Sequence, residues 1–384
     1  MDEPRGGRRD RDHLRLLHPS ALSVGVAGPQ GLRLEVRQLR AHPHHRVAHP
    51  AGHLVAAVGA QVVHRSEAHD RQGGHRRVHR VNDNRLDAAL AQLTWLGEDR
   101  VVSELPGGLT NHNYRVRSAG HDVVVRISSS DSGLLGVDRE HEWLNSRTAA
   151  EAGVGAPVVD YLPGRGVLVV QFLPGRTYAA RDVGENLPRI VEAVHKIHSS
   201  PPFANRFDMF ATQRAYAAIV SQRGFAVPSD YASHGARMAQ VEAALQCHPE
   251  PLVPCHNDLL AANVLDDGGA LRIIDYEYAG MNEPAFELGN LINESQLDHD
   301  HLVELVGLYY GRVSHHLLAR AELWGLTGRY AWTLWGAIQY GVSDVDHDFW
   351  DFTLERQALA SELLTSSRLD ALLDQAAALE EDHA

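Results

Sequence analysis

From about residue 84 onward, apolar and polar positions fall into spacings that predict an ordered series of elements. Apolar residues over 85–96 recur at helical spacing and predict a short amphipathic helix. Segments 101–105, 114–116 and 122–127 read as strands, with a loop over 106–113 and a turn at Gly120 between them. Residues 137–152 carry a helical pattern that stops at Gly153, and 166–173 form another strand, closed by Pro174 and Gly175. Helical patterns then dominate, over 187–198, 231–247, 299–324, 330–343 and 352–379. The expected class is α+β and two-lobed, with a small N-terminal β-sheet lobe (84–173) and a larger, mainly helical C-terminal lobe (174–384). A cleft between such lobes is the expected place for a ligand.

Composition changes this picture at the N-terminus. Residues 1–80 hold 14 Arg, 11 His and 7 acidic residues, with no Phe, Tyr, Trp or Lys. Such a segment can bury little apolar surface. Residues 1–83 are expected to be a basic, disordered extension, or upstream sequence translated from too early a start codon. A metal-binding His tract or an RNA-binding arm are further readings; the lack of aromatics weakens the last. The whole chain of 384 residues carries a net charge of −13, which argues against general nucleic-acid affinity. Two cysteines, Cys247 and Cys255, provide no disulfide framework and no zinc-finger spacing. No apolar run approaches the ~18 residues a membrane span needs, so a reducing cytoplasm is the expected compartment.

The chemistry concentrates in Cys255-His256-Asn257-Asp258-Leu259-Leu260-Ala261-Ala262-Asn263, followed by Leu271-Arg272-Ile273-Ile274-Asp275. Asp258 and Asn263 are five residues apart, and Asp275 follows twelve later at the end of an apolar run. Any one of these alone is an ordinary loop residue. Together they have the layout of a phosphoryl-transfer loop: a carboxylate for the attacking hydroxyl and two oxygen ligands for Mg²⁺. Asp258 is the candidate base; Asn263 and Asp275 are the candidate metal ligands.

These residues, with Ile274-Asp275-Tyr276-Glu277-Tyr278-Ala279-Gly280, Pro284 to Asn290 and Asn293-Glu294, resemble the choline/ethanolamine kinase family of the aminoglycoside-phosphotransferase-like kinases. The resemblance spans roughly residues 90–365. It implies a protein-kinase-like fold, ATP and Mg²⁺ as cofactors, and a small amino-alcohol substrate. Gly107, Gly108, Thr110 and Asn111 would form the phosphate loop. Arg126 would stand where most kinases have Lys, gripping phosphate with a permanent charge, and Glu142 would pair with it. Backbone groups of Gln171 and Leu173 would meet adenine. Glu294, Trp332 and Trp335 would receive the ammonium, since aromatic faces and carboxylates recognise such cations. Phe352 stands near where the family often has Tyr. Thiamine or an aminoglycoside is the alternative acceptor, and a pseudokinase the non-enzymatic one. Neither residues nor resemblance indicates an oligomeric state.

Overall fold

The computed structural model describes residues 83–118, 120–128 and 132–378. The expected extension over 1–83 therefore falls almost wholly outside the described residues, as does the end of the helix expected to reach 379.

Helix α1 (Asp83–Leu90) leads into strands β1 (Val101–Leu105), β2 (Asn111–Ser118) and β3 (His121–Ser128). Helix α2 (Arg139–Glu151) precedes β4 (Val158–Leu162) and β5 (Val167–Gln171). The strands make an antiparallel sheet in the order β1-β2-β3-β5-β4. Two-residue alternation sorts its faces. Val123, Val125 and Ile127 pack with Leu86, Leu90, Leu93 and Leu96 into one apolar core. Arg126, between them in sequence, takes the opposite face and is still buried. Asp138 caps α2 by accepting hydrogen bonds from the Glu140 and His141 N–H groups, which fixes the first turn and with it Arg139 and Glu142.

The second lobe begins with β6 (Arg176–Thr177), α3 (Ala180–Glu185), α4 (Leu187–His198), α5 (Met209–Arg223) and α6 (Gly235–Cys247). Short strands follow: β7 (Val253–Cys255), β8 (Val264–Asp266), β9 (Leu271–Ile273) and β10 (Gly280–Asn282). Helices α7 (Pro284–Glu294), α8 (His299–Tyr310), α9 (His315–Val342), α10 (Phe349–Thr365) and α11 (Arg368–Ala377) complete it. β7 pairs with β10, and β8 lies between β6 and β9. The segment from Cys255 to Val264 is thus pinned at both ends by strand pairing. No helix among the described residues is long and apolar enough to cross a membrane.

The two-lobed α+β expectation holds, with boundary corrections. The helix expected over 85–96 ends at Leu90 and is followed by a 3₁₀ turn at Thr94–Leu96. The one expected over 231–247 begins as a 3₁₀ turn, Tyr231–His234. The helices expected over 299–324 and 330–343 are instead divided at Gly311. That residue ends α8 in the left-handed region (φ 70°), and the Ser314 hydroxyl then accepts from Leu317 N–H to start α9. α9 runs unbroken through Gly325 and Gly328. The pattern over 352–379 is two helices, α10 and α11, separated at Ser366–Ser367. Helices α5 and α7 were not foreseen.

Continuity of α9 through glycine has a packing cause. A Cβ at Gly289 of α7 would collide with the Ala321 carbonyl and the Gly325 backbone nitrogen. The two helices therefore touch backbone to backbone beside the cleft. Overpacking such a contact costs about 1–3 kcal/mol. Gly289→Ala is expected to lose at least about 2 kcal/mol in denaturant unfolding; an unchanged midpoint would show that the crossing can open without strain.

Candidate active site

The catalytic-loop segment is held by hydrogen bonds from its own polar residues. Asn257 is fully buried and left-handed (φ 65°), a conformation that costs an L-residue energy unless its surroundings over-determine it. They do. Its side-chain N–H₂ lies within hydrogen-bonding distance of the carbonyls of Cys255 (3.3 Å), Tyr278 (3.0 Å) and Gly280 (3.3 Å). Its Oδ1 accepts from Asn282 Nδ2 at 2.9 Å, and its backbone N–H donates to Glu287 at 3.1 Å. His256 adds a further tie. Burial pushes its pKa down to about 4, so the ring is neutral. Its Nδ1 accepts from the Asp258 N–H at 3.3 Å, and Nε2 sits 2.9 Å from the Ile274 carbonyl, which fixes the Nε2–H tautomer.

Asp258 is the result of this bracing. Burial, then the negative charges of Asp275, Glu294 and Glu277, hold its carboxyl well above the usual range. A carboxylate so placed takes up a proton more readily than one in water. Asn263 donates its side-chain N–H to the Asp258 carbonyl at 2.9 Å, which leaves its amide oxygen available to a ligand. Asp275 closes the hairpin of β8 and β9 in the left-handed region, φ 73°. Burial raises its carboxyl above the ordinary range despite the opposing pull of Arg126.

The other side of the cleft is a buried charge cluster around Arg126. Its guanidinium lies 3.1 Å from Glu142, 2.7 Å from Asp275 and 2.9 Å from Glu277. Burial would lower its pKa, but these carboxylates outweigh that and raise it. Arg139 bridges Glu142 at 2.7 Å and Glu277 at 3.1 Å. Thr110 donates to Glu277 at 2.7 Å, and Asn111 donates to its other oxygen at 3.0 Å. The expected pairing of Arg126 with Glu142 is present.

The glycine-bearing loop leans on the second lobe. Gly107 and Gly108 have φ of 100° and 102°. The Leu109 carbonyl accepts from Gln339 Nε2 at 3.1 Å. With Thr110 and Asn111 side chains committed to Glu277, what this loop offers a phosphate is backbone. Gln171 ends β5 with its side chain exposed; Leu173 follows Phe172, whose N–H donates to the Asp122 carbonyl at 2.9 Å.

The aromatic residues converge on Tyr278. Trp335 Nε1 donates to its hydroxyl at 2.9 Å, and Trp332 meets its ring edge-to-face at 5.2 Å. Burial raises the Tyr278 phenol, with the charges of Tyr216, Glu277 and Asp258 adding to it. Trp332 and Trp335 are themselves buried, so both pack on the one phenol whose titration Asp258 influences. Phe352 packs on Trp335 at 5.4 Å. Glu294 is already paired with Arg356 at 2.6 Å, so any incoming cation competes with that guanidinium.

Sequence reasoning did not single out Glu277, Arg139, Asn257 or Tyr278. Glu277 lies two residues after Asp275, where the left-handed backbone of Asp275 and the turn at Glu277 bring both carboxylates to Arg126. Arg139 lies one helical turn before Glu142. The role of Asn257 depends on a backbone sign that sequence does not display.

The comparisons agree with this geometry. Residues 101–324 match the model of the phosphotransferase enzyme family. A solved choline/ethanolamine kinase family protein from Mesorhizobium loti is 30% identical, with 76% of this chain and 99% of that one covered and a TM-score of 0.66. Protein LicA of Haemophilus influenzae is 27% identical over 275 residues, 67% of this chain and 78% of that one. Choline kinase LicA from Streptococcus pneumoniae is similar in fold, with a TM-score of 0.64 at 21% identity over 73% of this chain and 98% of that one. The chain belongs to the phosphotransferase enzyme family and, within it, to the choline/ethanolamine kinase family.

Asn257 provides a direct check on the loop. Asn257→Ala loses buried hydrogen bonds and keeps the left-handed penalty, for an expected loss of about 3 kcal/mol. Asn257→Gly removes the penalty and should lose about 1 kcal/mol less. Equilibrium unfolding of both variants decides this; an equal or smaller loss for Ala would mean the backbone sign is irrelevant.

Proposed function

We propose that this chain is an ATP- and Mg²⁺-dependent kinase that phosphorylates the hydroxyl of choline or ethanolamine. The observation that carries this reading is the packing of Trp332 and Trp335 on Tyr278, whose phenol feels the charge of the half-buried Asp258 carboxylate. It joins a surface suited to an alkylammonium with a base suited to an alcohol.

Asp258 accepts, or orients, the proton of the acceptor hydroxyl as that oxygen attacks phosphorus and the bond to the ADP oxygen breaks. Arg126, steadied by Glu142 and Glu277, grips phosphate oxygens. The backbone at Gly107, Gly108, Thr110 and Asn111 covers them, and backbone groups of Gln171 and Leu173 meet the base. The donor set fits a hard divalent cation: the Asn263 amide oxygen and the Asp275 carboxylate are oxygen ligands. Glu142, Asp258, Asp275 and Glu277 also outnumber Arg126 and Arg139 in the cleft. When bound, Mg²⁺ supplies charge neutralisation between phosphate oxygens and these ligands. Trp332, Trp335 and Glu294 receive the ammonium, Glu294 exchanging Arg356 for the substrate. The lobe boundary is placed at Leu173/Pro174, and the cytoplasm is the compartment that supplies the nucleotide.

An ADP-release assay with choline, ethanolamine, thiamine and an aminoglycoside as acceptors tests the reading. Turnover is expected with choline or ethanolamine and to fall about 10²–10⁴-fold in Asp258→Ala, with nucleotide binding retained. Turnover with thiamine or the aminoglycoside alone would move the acceptor assignment, and an active Asp258→Ala would remove the base.

A further inference from the structure

Beside Asn257, whose N–H donates to Glu287, three potential ligands from different elements converge. They are His198 at the end of α4, Cys255 at the end of β7 and Glu287 in α7. One ligand atom from each lies within 4.8 Å of the other two. All are buried, Cys255 at 0%, Glu287 at 1% and His198 at 8% exposure. The kinase chemistry uses none of them.

Four observations make this more than a chance cluster. First, Cys255 Sγ and His198 Nε2 are 3.6 Å apart. Zinc bonds of about 2.3 Å to sulfur and about 2.0 Å to nitrogen, at a tetrahedral angle, separate such atoms by about 3.5 Å. Second, His198 Nδ1 lies 2.7 Å from the Tyr309 hydroxyl. A ligating histidine commonly uses its other ring nitrogen this way, which here aims Nε2 at the thiol. Third, Glu287 has one oxygen on the Asn257 N–H, while Oε1 is buried with no hydrogen-bond partner among the described residues. Fourth, Glu287 has no ion-pair partner among the described residues, although it lies inside the protein. Burial pushes its carboxyl up to about 7. A buried acidic and thiol cluster without a cation is short of positive charge.

We propose that His198, Cys255 and Glu287 form a binding site for a thiophilic divalent metal ion, zinc foremost. A thiolate and an imidazole favour zinc over Mg²⁺. Binding releases the thiol proton to solvent as the Sγ–metal bond forms. The ion ties α4, β7 and α7 together directly beneath Asn257, so it acts as a brace for the loop.

The test uses the full chain, stripped with chelator and titrated with Co²⁺. A thiolate-to-cobalt charge-transfer band should appear in the near ultraviolet and saturate at one equivalent. It should vanish in Cys255→Ser and persist in Cys247→Ser. The band is selective because residues 1–80 contain no cysteine and Asn263 and Asp275 carry no sulfur. In parallel, Zn²⁺ should raise the wild-type Tm by several degrees and leave that of His198→Ala unmoved. No band in the wild type, a band lost only in Cys247→Ser, or an equal zinc response in His198→Ala would each overturn the site. The kinase reading survives any of these results, because it rests on other residues.

Discussion

The arginine on the central strand of the small lobe organises this molecule. Arg126 is buried with carboxylates from three directions: Glu142 from α2, and Asp275 and Glu277 from the segment after β9. Breaking one partner from such a group leaves an uncompensated buried charge, a loss of about 3–5 kcal/mol. The cluster joins the lobes at the proposed phosphate grip. Glu277 does most of the joining, since Thr110, Asn111, Arg126 and Arg139 all reach it from the sheet side. The same residues that hold the lobes together also set the charge of the cleft.

Carboxylates still outnumber cations there. Burial first, and that excess second, hold Asp258 and Asp275 above the ordinary carboxylate range even with Arg126 nearby. The catalytic loop can stay in this strained arrangement because Asn257 ties it to β10 and α7 with side-chain and backbone bonds at once. Helix α7 in turn lies against α9 through glycine, so the loop, the aromatic wall and the helix core form one stack.

Much of this was legible in the sequence. The family resemblance marked Arg126 on its strand, and the spacing of Asp258, Asn263 and Asp275 marked the chemistry. What was not legible depended on the third dimension. Asn257 looked like a motif residue, but its left-handed backbone makes it the anchor. The gap expected between the segments 299–324 and 330–343 is filled by continuous helix, and at Gly325 the neighbouring backbone of Gly289 needs the space. Glu294 looked free for a cation, and only the fold brings Arg356 from α10 against it. Local patterns record which face a residue takes, whereas partners distant in sequence record nothing until the chain has folded.

The central claim is that Arg126 is the phosphate grip and that its carboxylate cage exists to hold it there. Equilibrium binding of ATP to Arg126→Met, at fixed Mg²⁺ and measured beside acceptor binding, tests this most directly. The account predicts a loss of nucleotide affinity of about a hundredfold, as expected for a charge-assisted contact worth about 3 kcal/mol, with acceptor affinity little changed. Unchanged ATP affinity in a folded Arg126→Met protein would contradict it and reduce the cluster to a structural clasp.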